Sequence, residues 1–185
     1  MEFDYIVVGA GSAGCAVANR LSQCGNFLVA LIEAGPSDNS PWIHVPVGYY
    51  RTMGNPKSDW CYRTQSDEGI AGRSIPWPRG KVMGGSSSIN GLLYVRGQPR
   101  DFDIWSQLGC TGWSWDEVLP YFKRSENWDG IDETGLRGKD GPLSVQSARL
   151  KRDIVDHWVD AAVRAGYQRN YDYNGSTQEG VGHFQ

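Results

Sequence analysis

The chain has 185 residues, 39% hydrophobic and 21% charged, with 18 basic against 21 acidic side chains for a net charge of −3. Those values exclude a disordered polyelectrolyte and a coiled coil, offer no basic surplus for nucleic acid, and suffice for a core without disulfides or metal. Glycine is the outlier, at 24 residues or roughly 13% against a usual ~7%, and the excess sits in clusters instead of a period.

Tyr5–Val8 reads as a short buried strand, rich in β-branched residues and stopped by Gly9. Ser12–Gln23 reads as a helix with Gly25 just past its end, and Ala13, Cys15, Ala16 and Ala18 form a face small enough to lie against a sheet. Leu28–Ile32 is a second apolar run. Strand, helix and strand within about 30 residues predict a βαβ unit with a parallel pair and a right-handed crossover. Residues 36–80 hold six of the nine prolines, interleaved with Trp42, Trp60 and Trp77, and show no helical period. They are too aromatic for a linker and predict a long irregular excursion packed on the domain.

Leu92–Arg96 reads as an apolar strand. Pro99 then opens a helix with Phe102, Trp105 and Leu108 on one face and Gly109 at its end. Ser114 and Glu117 have the spacing of a capping box, opening a short helix that Pro120 kinks or stops. Residues 125–144 and 170–185 read as polar loops, and Leu150–Ala165 as an amphipathic helix. Arg96 and Arg100 read as solvated surface charge, with phosphate contact as the alternative.

No run of 18 apolar residues is present, so no segment is suited to span a membrane. No basic leader precedes the first strand, and Cys15, Cys24, Cys61 and Cys110 contain no CxxC pair. Reduced thiols and a cytoplasmic location, free or peripherally membrane-associated, are the expectation. His44, His157 and His183 are scattered and make no metal-binding pattern, so no metal is predicted.

Gly9-x-Gly11-x-x-Gly14 follows the first strand and opens the first helix. Gly9 turns the chain out of the sheet, Gly11 lets a pyrophosphate approach the backbone, and Gly14 lets the helix pack on the strands. The helix N-terminus offers unpaired N–H groups to the phosphates. Glu33 lies 19 residues after Gly14 at the end of the second strand, where a carboxylate accepts from a ribose and repels a 2′-phosphate. This predicts a dinucleotide and disfavours NADP. FAD and NAD both remain open at this point.

The second cluster runs Gly80-Lys81-Val82-Met83-Gly84-Gly85-Ser86-Ser87-Ser88-Ile89-Asn90-Gly91. With Tyr94, Gly97 and Asp103 it resembles the first signature of the glucose–methanol–choline (GMC) oxidoreductases, above all choline dehydrogenase-like and alcohol dehydrogenase-like members. Met83 departs from the usual Leu, a swap that repacks at little cost. Asp59-Trp60, Trp77-Pro78-Arg79-Gly80 and Gly112-Trp113-Ser114-Trp115 extend the resemblance along the chain.

The resemblance implies an α/β fold: a Rossmann-like FAD-binding βαβ unit with a long irregular excursion, forming the N-terminal portion of a GMC fold. Residues 1–125 would belong to the FAD-binding domain and 126–185 would begin the substrate-side region. Gly9, Gly11, Ser12, Ala13, Gly14, Glu33 and Ala34 would hold the ADP half of FAD. Val82, Gly84, Gly85, Asn90, Gly91, Leu92 and Leu93 would lie along the flavin half. The loop has no histidine of the kind that links flavin covalently in some relatives, so the FAD is expected to be non-covalent.

The implied activity is oxidation of the CH–OH group of a small-molecule alcohol, such as choline or an aliphatic alcohol. Hydride would go to flavin N5, and oxygen or a quinone-like compound would be the electron acceptor. The family's catalytic histidine belongs downstream of Gln185, so no catalytic residue is expected within the chain, and these 185 residues alone are expected to be inactive. The rival readings are a non-catalytic truncated or split-gene fragment of such an enzyme, and an NAD-dependent dehydrogenase, which the 80–103 signature argues against.

Overall fold

Tyr5–Val8 (β1) and Val29–Ile32 (β2) pair in parallel, with Tyr5 opposite Val29 and Val8 opposite Ile32, and the helix Ser12–Ser22 (α1) connects them. The computed structural model describes residues 2–149 and 152–185. The architecture is α/β, and the βαβ unit forms where the apolar runs predict it. Gly9 adopts φ +95°, a left-handed turn that carries the chain from β1 into α1. A Cβ on Gly14 would lie 1.9 Å from the Gly9 carbonyl oxygen, so only glycine lets the helix start this close to the turn.

The inner face of α1 differs from the expectation. Ala18 is buried and Gly14 and Cys15 are half-buried, but Ala13 and Ala16 are exposed. Positions 14, 15 and 18 share one stripe of a 3.6-residue helix, and 13 and 16 fall beside it. Among the described residues the β1–β2 sheet has two strands, which leaves Ile6 62% and Val8 82% exposed.

The excursion is more ordered than its prolines suggest. Pro41–His44 (α2) and Tyr49–Thr52 (α3) are single helical turns, joined by a 3₁₀ turn over Pro46–Gly48. Pro41 and Pro46 each open a turn, where the missing N–H costs no intrahelical bond. Tyr62–Arg63 (β3) and Pro76–Trp77 (β4) pair antiparallel.

Asp59 ties the middle of the excursion to its end: its buried carboxylate accepts from the backbone N–H groups of Gly54 (2.7 Å), Cys61 (2.9 Å) and Arg79 (2.9 Å). Burial acts to raise its pKa, but these three donors and the Arg79 charge outweigh it, and the carboxyl sits below its ordinary value.

Contacts divide the chain into two compact units, Met1–Leu92 and Leu93–Gln185. In the second, Pro99–Gln107 (α4) carries a capping box from Gln98 and Asp101. Phe102 of this helix packs its ring 5.3 Å from Trp105 and 5.6 Å from Phe122. Trp115–Ser125 (α5) has the expected Ser114/Glu117 capping box. It runs past Pro120, which therefore does not stop the helix; the proline forfeits one N–H bond and the rest of the turn holds. Position 125/126 lies at the end of α5, inside this unit.

Three further expectations are corrected here. Residues 125–144 are not all loop: Glu126–Trp128 (β5) pairs in parallel with Leu143–Val145 (β6). Residues 92–96 are not a ladder strand. Leu92 adopts φ +60°, and the chain beyond it pairs with a loop: Tyr94 N–H donates to Gln185 O (2.9 Å) and Arg96 N–H to Asn174 Oδ1 (2.8 Å). Arg96 is not surface charge but buried, bonded to Glu126 at 2.5 Å.

Asp153–Arg164 (α6) forms the last helix; Leu150 and Lys151, the first residues expected in it, lie outside the described residues. Val159 is its one fully buried apolar residue, while Ile154 and Trp158 are exposed. Among the described residues no helix is long and apolar enough to cross a membrane.

Candidate functional site

The two glycine clusters, far apart in sequence, meet at the mouth of the βαβ unit. Gly84 N–H donates to Ala10 O (2.8 Å), and Met83 N–H donates to Pro36 O (2.9 Å). The contact is backbone against backbone: a Cβ on Gly85 would lie 2.8 Å from Gly11 Cα, and one on Gly35 only 2.1 Å from the Lys81 carbonyl group. Approach this close leaves no room for a side chain at Gly35 or Gly85.

Beside this junction lies a cavity of about 500 Å³. One wall comes from Val8, Gly9, Gly11, Ile32, Glu33 and Ala34. The other comes from Trp60, Tyr62, Arg79, Gly80, Gly85 and Ser86. The Trp60 and Tyr62 rings are parallel within 4° with centroids 5.8 Å apart, and Lys81 Nζ stands 4.6 Å from the Trp60 centroid. Sequence reasoning did not assign Trp60, Tyr62, Arg79, Gly80 or Ser86 to the site. The signal was present in the Asp59-Trp60 and Trp77-Pro78-Arg79-Gly80 stretches, but nothing local says that they line a cavity together with Glu33.

The pieces suit a dinucleotide. A Cβ on Gly9 or Gly11 would meet no protein atom within 4 Å, so at these two positions the absent side chain leaves open space at the cavity wall. The start of α1 has no side-chain cap and no acidic residue in its first turn, and Cys15 N–H is the first to close onto a helical carbonyl, Gly11 O at 2.9 Å. The Ser12, Ala13 and Gly14 amides precede it, with the positive end of the helix dipole behind them. Such a helix start suits an anion.

Glu33 is braced as well as exposed to the cavity. Its Oε2 accepts from Ala10 N–H (2.9 Å) and its Oε1 from Gly35 N–H (3.0 Å). Each oxygen retains a lone pair, so the carboxylate can still accept from a ribose hydroxyl. Ser87 and Ser88 give their hydroxyl protons to Gly84 O (2.6 Å) and Met83 O (2.7 Å), closing their own turn.

Of the residues expected to touch a cofactor, Gly9, Gly11, Glu33, Ala34 and Gly85 line the cavity together. Ser12 and Ala13 are exposed at the helix start, and Gly14 is spent on packing. Val82 is buried behind the loop, and Gly84 is tied to Ala10. Asn90, Gly91, Leu92 and Leu93 are exposed and do not line this cavity; Asn90 Oδ1 accepts from Leu92 N–H (3.0 Å). The histidines are engaged or exposed elsewhere: His44 with Asp38, His183 with Asp156 at 2.9 Å, and His157 on the exposed face of α6.

The family description GMC oxidoreductase matches residues 3–185. The chain is 48% identical over 184 residues to an oxygen-dependent choline dehydrogenase of Vibrio vulnificus, covering 98% of this chain and 32% of that protein. It is 47% identical over 182 residues to the enzyme of the same name from Brucella anthropi, covering 98% and 33%. The chain thus spans about a third of the length of these curated relatives.

Among solved structures, pyridoxine 4-oxidase from Mesorbium loti superposes with a TM-score of 0.84 at 37% identity, over 91% of this chain and 33% of that one. An Aspergillus oryzae formate oxidase studied for FAD modification gives a TM-score of 0.79 at 31% identity, over 90% and 31%.

Proposed function

Because the chain belongs to the GMC oxidoreductase family, we propose that it is the FAD-binding N-terminal portion of an enzyme that oxidises the CH–OH group of a small alcohol. The single observation that carries this reading is the junction of the two glycine clusters beside a cavity holding Glu33, at an uncapped helix start. Bound FAD supplies the acceptor for the hydride of the alcohol.

The chain's own residues bind and orient. Gly9, Gly11, Ser12, Ala13 and Gly14 present backbone to the pyrophosphate, and Glu33 with Ala34 takes the ribose. Trp60 and Tyr62 wall the same cavity, where their rings shield the bound nucleotide from water. Val82, Gly84, Gly85 and the run Asn90, Gly91, Leu92 and Leu93 face the flavin half, mainly through backbone. The FAD is held without a covalent bond.

Choline, or a similar alcohol, is the proposed substrate. The names of the Vibrio and Brucella relatives support it, and oxygen or a quinone-like compound is the proposed acceptor. The 185 residues are proposed to bind the cofactor but not to turn over an alcohol.

The test is a visible spectrum of the purified chain after FAD is added and the excess removed. Retained flavin bands that leave with denaturation are expected. A chain that retains no flavin bands would overturn the reading. Bleaching of the bands by choline in the 185-residue chain would overturn its proposed inactivity.

A further inference from the structure

The second unit contains a buried ion cluster that cofactor binding does not use. Glu126 is fully buried at the start of β5. It accepts from Arg96 Nη2 (2.5 Å), Arg137 Nη2 (2.6 Å) and Nε (3.0 Å), and Gly138 N–H (2.8 Å). Arg137 reaches on to Asp172 Oδ1 (2.5 Å) and Gln185 Oε1 (3.0 Å). Two arginines thus face two carboxylates, Glu126 and Asp172, and the cluster is neutral.

Arg96 spends its guanidinium on three partners: Glu126, Leu136 O (2.7 Å) and Tyr94 Oη (3.2 Å). The backbone around it is pinned just as fully. Tyr94 O accepts from Tyr173 Oη (2.9 Å) and Asn174 Nδ2 (3.0 Å), and Arg96 O accepts from Gln178 Nε2 (2.8 Å). With the Tyr94 and Arg96 amides also paired, residues 94–96 are held like a strand whose partner is a loop. Tyr94 and Arg96 point inward, which turns Leu93 and Val95, each more than half exposed, outward.

We infer that Glu126 is a positioning residue: acting through Arg96, it sets the backbone at the Leu93 end of the run Asn90–Leu93. The inference rests on the reading that this run faces flavin. Its physical basis is that a guanidinium fork with three fixed acceptors has one orientation, and that neutralising Glu126 leaves two buried arginines facing one remaining carboxylate.

The test uses the protein saturated with FAD, comparing wild type with Glu126→Gln and Arg96→Lys. Near-UV circular dichroism reports the fold, visible circular dichroism reports the isoalloxazine environment, and fluorescence titration reports affinity. A positioning role alters the visible signal at saturation in both folded variants and weakens FAD about tenfold.

Arg169→Gln, which removes the half-buried Arg169–Asp160 pair of the same unit, leaves the visible signal unchanged. Folded variants with wild-type visible signal and affinity overturn the inference alone. A wild type that takes up no FAD overturns the functional reading beneath it. If Glu126→Gln does not fold, Arg96→Lys decides, because it keeps the charge balance and loses only the fork.

Discussion

Gly84 donates its backbone N–H to the carbonyl of Ala10 at 2.8 Å, and this bond joins the two glycine-rich segments into one structure. Ala10 is itself fully buried, and its own N–H goes to Glu33. One residue of the first turn therefore couples β1, the end of β2 and the second glycine loop.

Two glycines of this junction should separate packing from binding. Gly11→Ala places a methyl in open space at an ordinary φ, so stability should change by less than about 0.5 kcal/mol. FAD affinity should nevertheless fall at least about tenfold, because the methyl stands where the pyrophosphate approaches. Gly85→Ala forces a Cβ to 2.8 Å from Gly11 Cα at φ +59°, and should cost about 1–3 kcal/mol before any ligand is added. Thermal unfolding with and without FAD reads both.

Glu33→Gln should lose stability even without a cofactor. The carboxylate accepts from two amides, and an amide side chain can accept with only one of its two ends. A loss of about 1–2 kcal/mol in urea unfolding is expected, together with weaker FAD binding. Unchanged apo stability would contradict the bracing role.

Acid should open the excursion through Asp59. Its folded pKa is depressed, so the stability it contributes is fully present above the ordinary carboxylate value and is lost as pH falls below about 4 through the folded value. In the second unit Asp132 behaves alike. Burial acts to raise its pKa, but the backbone N–H groups of Arg137, Thr134 and Gly135 and the Thr134 hydroxyl lower it. Asp59→Asn should flatten the acid limb of the stability–pH curve and lower stability at pH 7 by about 2–3 kcal/mol.

Arg137→Met should be among the most damaging substitutions in the second unit. It strands Glu126 beside a single arginine and removes a guanidinium seated 4.0 Å from the Trp128 ring centroid. A cost of about 3–5 kcal/mol is expected, read as a fall in unfolding midpoint with loss of the tryptophan near-UV signal.

Legibility in the sequence followed the range of the interactions. The first strand, α1 and the Ser114/Glu117 capping box are written in residues a few positions apart, and the structure repeats them nearly to the residue. The stop offered at Pro120 does not occur: the helix runs on to Ser125, with Phe122 packed against Phe102 of the preceding helix. Arg96 misled because its charge looked solvated, and its neutralising carboxylate is 30 residues away.

The sequence by itself determined the βαβ unit, the turn at Gly9, the helix start that suits an anion, and Glu33 at the end of β2. Periodicity, capping and the missing Cβ of glycine all act within a few residues. Only the tertiary structure decided that the two glycine clusters touch, that Trp60 and Tyr62 line the same cavity as Glu33, and that residues 94–96 pair with a loop. Those outcomes depend on hydrogen-bond partners brought together by chain folding: the Arg96 amide finds Asn174, 78 residues on. A buried donor takes the acceptor that the packed chain presents to it, and no local pattern names that acceptor in advance.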